Sequence, residues 1–179
     1  LDHALRQRRQ IEGFVEDQGD VLHHGQGLEQ GEVLEHHADA QLAGLRGIGD
    51  GHRMKLLNNF LSLGYAAIYS EALTMAKKVG IPVAEFDKVI RGGRMDCGFY
   101  QTFMGYTLDG NREAHRFTIT NAYKDLRYVE SMANGAGMVT AIASAAKNSF
   151  AMAMATGGDG PEDYVPHLPD FVGRMNGIK

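Results

Sequence analysis

Tryptophan is absent, and the 179 residues hold one cysteine, Cys97, and four prolines. A lone thiol excludes an internal disulfide and any cluster of thiolate ligands, and it fits a reducing, cytoplasmic setting. No cationic start precedes an apolar run. The least polar stretch, from Leu56 to Ser70, is broken by Asn58, Asn59 and Ser62, so neither a signal peptide nor a membrane span is read. A surplus of positive charge is missing too. The formal net charge is -4 with Lys and Arg scattered, which leaves no footprint for a phosphate backbone and argues against nucleic acid as a partner. What is present is 44% hydrophobic residues, enough for the buried core of a globular protein.

A second set of absences divides the chain. From Leu1 to Gly47 there is no Lys, Ser, Thr, Asn, Pro, Tyr, Met or Cys, yet six of the seven Gln and five of the eight His lie there. Four Arg face nine acidic residues in this segment, whereas the rest of the chain is almost neutral. Glycines 13, 19, 25, 27 and 31 would each cost a helix about 1 kcal/mol, so residues 1–47 are expected to have no assigned fold, with short helices or disorder. So abrupt a change suggests an out-of-frame or mis-started translation. His23-His24 and His36-His37, with Glu29, Glu32, Glu35 and Asp39 nearby, raise a metal site; adjacent histidines point to different faces and no metalloprotease-type spacing occurs, so none is assigned.

Residues 48–179 read as helices. Met54, Leu57, Leu61, Ile68, Met75 and Val79 recur at helical spacing, with Leu56, Phe60, Ala67 and Leu73 on a second face. The spacing predicts one long buried helix from Gly51 to Val79, of the kind that bridges two bodies, stopped by Gly80 and Pro82. Further helices are predicted over 83–90, 97–108, 118–134, 139–156 and 161–175, and no strand alternation appears. In the helix from Thr118, the residues Ile119, Ala122, Leu126, Val129 and Ala133 form the core stripe, which leaves Lys124 off the core.

Gly47, Gly49 and Gly51 in GIGDGH, with Glu71 about 20 residues on, imitate a dinucleotide fingerprint. The apolar strand such a fingerprint needs is missing, so the glycines read as a hinge feeding a helix start, with Asp50 as a cap. Lys55, Asn59 and Ser62, at i, i+4 and i+7, form a polar stripe on an apolar rod. Lysines near a helix start are usually solvated. One held dry near another cation such as Lys124 has its pKa lowered from about 10.4 toward the range useful for proton transfer.

The stretch GIGDGHRMKLLNN resembles the G-x-G-x-x-x-K-x-x-N-N segment that opens the C-terminal domain of β-hydroxyacid dehydrogenases, the group of 3-hydroxyisobutyrate dehydrogenase. The likeness continues through EALTMAKKVGI, GRMDCGFYQTF, HRFTITNAYKDLRYVESMA and GGDGPEDYVP. It implies an all-α domain of the 6-phosphogluconate dehydrogenase-like type, entered by a long first helix. It implies also an NAD- or NADP-dependent oxidoreductase acting on a small 3-hydroxy acid, and a homodimer. By the resemblance, Lys55 is the general acid or base, Asn59 and Gly51 bind substrate, and Lys124 and Phe117 line the cofactor region. The 6-phosphogluconate dehydrogenases themselves carry K-x-x-H-N with a glutamate seven residues after the lysine; Asn58 and Ser62 stand at those positions, which favours a small hydroxy acid over a phosphorylated sugar acid.

The departure from the family is at the start. An N-terminal Rossmann domain with its G-x-G-x-x-G turn is expected in the family, and residues 1–47 are too short for it, so the chain reads as a partial dehydrogenase expected to bind cofactor weakly. The alternative is a helical dimerisation module with no chemistry of its own.

Overall fold

The structure, a computed structural model, describes residues 49–157 and 163–178. Among these residues there are helices and no strand: α1 (Asp50–Lys78), α2 (Val83–Ile90), α3 (Gly98–Asp109), α4 (Ile119–Gly135), α5 (Ala141–Ala155), a 3-10 turn (Val165–His167) and α6 (Leu168–Met175). The single bridge pairs Thr118 with Tyr164. The segment 1–47, with its histidine pairs, lies outside the described residues.

Helix α1 runs 29 residues, about 43 Å at 1.5 Å per residue. It starts from Gly49 in the left-handed region (φ 84°), so Asp50 is not the cap that the sequence suggests; it occupies the first turn and pairs with Arg53 at 2.8 Å. Gly80 ends the helix at φ 79°. Its N–H bonds to Lys77 O at 3.2 Å and that of Ile81 to Ala76 O at 2.8 Å, the paired closure that a left-handed residue makes possible. Pro82 then opens α2, as a residue without an N–H suits a helix entrance.

Which face of α1 is buried differs from the expectation. Leu56, Leu63, Ala66, Ala67 and Leu73 are covered and Phe60 is half-buried, whereas Met54, Leu57, Leu61, Ile68, Met75 and Val79 are all exposed, Val79 at 72%. Both faces are apolar, so helical spacing does not distinguish them. The packing of α4, α5 and α6 along one side does.

Leu63 and Leu73 of α1 join Phe103, Met104, Leu126, Phe150 and Leu168 in one core, and Leu56, Val129 and Ala143 form a smaller cluster beside it. The stripe expected on α4 is buried at all five positions. Glu130 ties α4 to α5, accepting from Ser144 Oγ at 2.6 Å and Lys147 Nζ at 2.5 Å. The final helix is shorter than 161–175. Tyr164 leads into the 3-10 turn, and α6 follows from Leu168 with Pro169 in its first turn, where a missing N–H is tolerated.

Candidate active site

Helices α1 and α4 cross, and a polar pair sits at their contact. Asn59 Nδ2 donates to Asp125 Oδ2 at 2.9 Å, bridging positions 66 apart in sequence. The other carboxylate oxygen lies 3.5 Å from Lys124 Nζ. Asp125 is 13% exposed at its side chain and Lys124 43%, so the carboxylate is mostly covered while the ammonium beside it reaches solvent. Local sequence explains the placement. Leu56 and Val129 share one apolar cluster, and Leu63, Ala122 and Leu126 share the next, so burying these residues leaves positions 59 and 125 between two dry patches. A polar group there needs a partner, and each supplies the other's.

Lys55 lies one turn before Asn59 on α1 and is exposed. The dry junction expected around it is not formed by the described residues, because Leu56 takes the covered flank. Its charge acts on half-buried His52, one turn earlier. Burial lowers the His52 pKa below the usual 6.5, the Lys55 ammonium lowers it further, and the Asp125 carboxylate opposes both.

Gly51 lies in the first turn of α1 with open space where a side chain would stand. The Ser62 hydroxyl donates to Asn59 O at 3.2 Å, which leaves it only as an acceptor for any further partner. Phe117 lies on the strap before α4, half-buried against the main core, 6.2 Å from the His115 ring; its carbonyl accepts from Val165 N–H at 2.8 Å. The structure therefore joins Asn59 to Lys124 directly through Asp125 and places Lys55 on the adjoining turn. Asp125 and His52 escaped the sequence reading. Asp125 stands in the K-D-L run beside Lys124, and His52 is three residues before Lys55, which are the only signals that mark them.

A second polar cluster has a different character. His167 is 2% exposed; its Nδ1 faces Tyr164 N–H at 3.2 Å and Asp163 at 3.3 Å, and its Nε2 faces Arg112 O at 2.9 Å. Nε2 donates to that carbonyl when it carries the ring proton, and Nδ1 is shared between the backbone N–H and the Asp163 carboxylate. Arg112 reaches Asp163 at 3.4 Å, and Tyr106 donates to Asp170 at 2.5 Å; burial, helped by that hydrogen bond, pushes the phenol up to about 12. Both ring nitrogens of His167 are engaged, so the imidazole is a brace between the strap and α6.

With this geometry in place, the chain can be set beside known proteins. The family described as the NAD-binding domain of NADP-dependent 3-hydroxyisobutyrate dehydrogenase matches residues 49–166. The chain belongs to that family. The 3-sulfolactaldehyde reductases of Escherichia coli strain K12 and Shigella flexneri are each 26% identical to it over 118 residues, covering 66% of this chain and 40% of theirs. The 3-hydroxyisobutyrate dehydrogenase of Salmonella typhimurium shares its fold with a TM-score of 0.60 at 21% identity, over 67% of this chain and 41% of the other. The enzyme of the same description from Mycobacterium tuberculosis, solved with L-serine, does so with a TM-score of 0.60 at 21% identity over 69% and 44%. The chain thus spans about two fifths of the length of the relatives it matches.

The family is an NAD-binding one, and its helical domain is the architecture seen here. Among the described residues, no three His, Cys, Asp or Glu side chains are grouped so as to hold a metal ion, and no helix is long and apolar enough to cross a membrane.

Proposed function

We propose that this chain is the acid–base half of an NAD- or NADP-dependent dehydrogenase of small 3-hydroxy acids, working in the cytoplasm. The observation that supports it is the Asn59–Asp125–Lys124 link, which brings the K-x-x-N-N and K-D-L segments, far apart in sequence, to one place.

The residues present fit one end of a nicotinamide nucleotide and its substrate. Lys124 offers a cation to an anionic hydroxy acid, Lys55 an amine that exchanges a proton with its hydroxyl, and Asn59 an amide, while the open first turn at Gly51 leaves room for a close approach. The described residues hold no strand–turn–helix cradle for a pyrophosphate, so tight cofactor binding needs another domain. When bound, the nucleotide supplies the hydride acceptor. The protein's part is protonic: Lys55 takes the hydroxyl proton as the carbinol carbon is oxidised and returns it in reduction, which requires that a covering domain exclude water from its nitrogen. Asn59 fixes the hydroxyl against that nitrogen. Lys124 and Phe117 face the cofactor side.

Activity in a chimera tests this. Residues 49–178 replace the corresponding domain of the Salmonella enzyme, and oxidation of 3-hydroxyisobutyrate is followed by nucleotide reduction. Lys55→Ala should remove at least roughly a hundredfold of the rate, the contribution expected of a positioned acid–base group. A chimera indifferent to that change contradicts the role of Lys55. Steady turnover by the 179-residue chain alone contradicts the need for a second domain.

A second reading is favoured by the bare apolar ridge of α1, where Leu57, Leu61, Ile68 and Met75 are each more than 40% exposed. Two copies packed along this ridge would make the chain a homodimer, with or without chemistry. Light scattering that gives a monomer at micromolar concentration removes that reading.

A further inference from the structure

We propose that Asp125 is a positioning residue, whose carboxylate fixes which way the Asn59 amide faces and so presents the amide oxygen and one N–H of Asn59 to a substrate. This rests on the reading of Asn59 as a substrate-binding residue.

The two ends of an asparagine amide have the same shape, and only their partners tell them apart. An ionised carboxylate accepts and does not donate. The Nδ2 group of Asn59 must therefore turn toward Asp125 Oδ2, at 2.9 Å, and its oxygen away from it. Without that carboxylate either end could face α4. With it, the oxygen can accept from a substrate hydroxyl or an ammonium, and the second N–H can donate to a carboxylate or carbonyl.

The surroundings make the orientation costly to lose. The pair lies between the Leu56–Val129 cluster and the Leu63–Ala122–Leu126 cluster, so water does not readily replace either partner. The same carboxylate pairs with Lys124 Nζ at 3.5 Å, so one acidic group faces both the amide and the cation. A helix–helix brace needs only one hydrogen bond. A carboxylate that also holds a half-exposed lysine beside an amide with unused valences does more than brace.

The test is made on the full chain by nitrogen-15 NMR of the Asn59 side-chain amide. In the unaltered protein its two protons should be well separated, and the one bonded to Asp125 should exchange slowly. Asp125→Asn preserves size and can still bridge the helices with the Asn59 amide in either orientation. It should draw the two protons together while the melting temperature moves by less than about 5 °C. Titration with 3-hydroxyisobutyrate should shift the same amide saturably, with affinity reduced roughly tenfold in Asp125→Asn and partly recovered in Asp125→Glu.

An Asn59 amide unaffected by Asp125→Asn overturns the proposal, as does an affinity loss no greater than that of an equally destabilising change in the core. If the amide responds to Asp125→Asn but 3-hydroxyisobutyrate moves it neither in this chain nor in the chimera with the Salmonella enzyme, the hydroxy-acid reading fails and the clamp on Asn59 stands.

Discussion

The two apolar faces of α1 are built from the same kinds of residue and meet opposite fates. Leu56, Leu63 and Leu73 are at most 4% exposed, while Leu57, Leu61 and Ile68 are 44–57% exposed on the same helix. Composition therefore does not mark the core side of a helix that is apolar nearly all round. Contact with α4, α5 and α6 marks it, and the functional polar residues follow: Asn59 stands at the edge of the covered face because α4 brings Asp125 there.

The sharpest way to break this comparison is to cut a covered leucine. Leu73→Ala, at a position with no exposure, should lower unfolding free energy by about 3 kcal/mol in chemical denaturation, since transfer and cavity terms add. A loss below about 1 kcal/mol would mean that the two faces are energetically alike.

The border between the faces should show an intermediate effect. Asn59→Ala, Asp125→Ala and the double change form a cycle whose coupling should be about 1.5 to 3 kcal/mol, the net value of a hydrogen bond to a charged group. Zero coupling would make the pair an incidental surface contact.

A pH scan reads the start of the same helix. Burial and the Lys55 charge depress the His52 pKa relative to the unfolded chain. The unfolded state then takes up the proton first as pH falls through about 6.5, and stability that is complete above that value declines below it. His115, lowered by burial alone, adds to the slope, so His52→Gln should flatten it only in part. A steeper decline in that variant would reverse the assignment.

The smallest change is expected on the bare face. Ile68→Ala should alter unfolding free energy by less than about 0.5 kcal/mol, as surface substitutions usually do. A large loss of stability that depends on protein concentration would instead show that copies cover this ridge.

Much of the fold is legible from residues alone. Gly80 with Pro82, Gly110 and Gly137 mark helix ends, because few residues adopt the left-handed region there or start a helix without an N–H. The α4 stripe was readable because its other face is polar, so one period has one meaning. The α1 stripe was not, for the reason above.

The site divides likewise. Lys55, Asn59 and Lys124 carry a spacing that can be recognised, whereas Asp125 is marked only by its place in the K-D-L run, which does not reveal its partner. Its partner is 66 positions away. The His167 brace is also silent in sequence, because its partners come from the strap, the segment before the 3-10 turn and the backbone.

The sequence by itself determined, to within about two residues, where the helices begin and end except at the start of α6, since those limits depend on backbone freedom and local periodicity. The tertiary structure decided which side of α1 is dry, and with it which polar groups must find one another. Burial is a property of neighbours, and a chain read one residue at a time does not contain them.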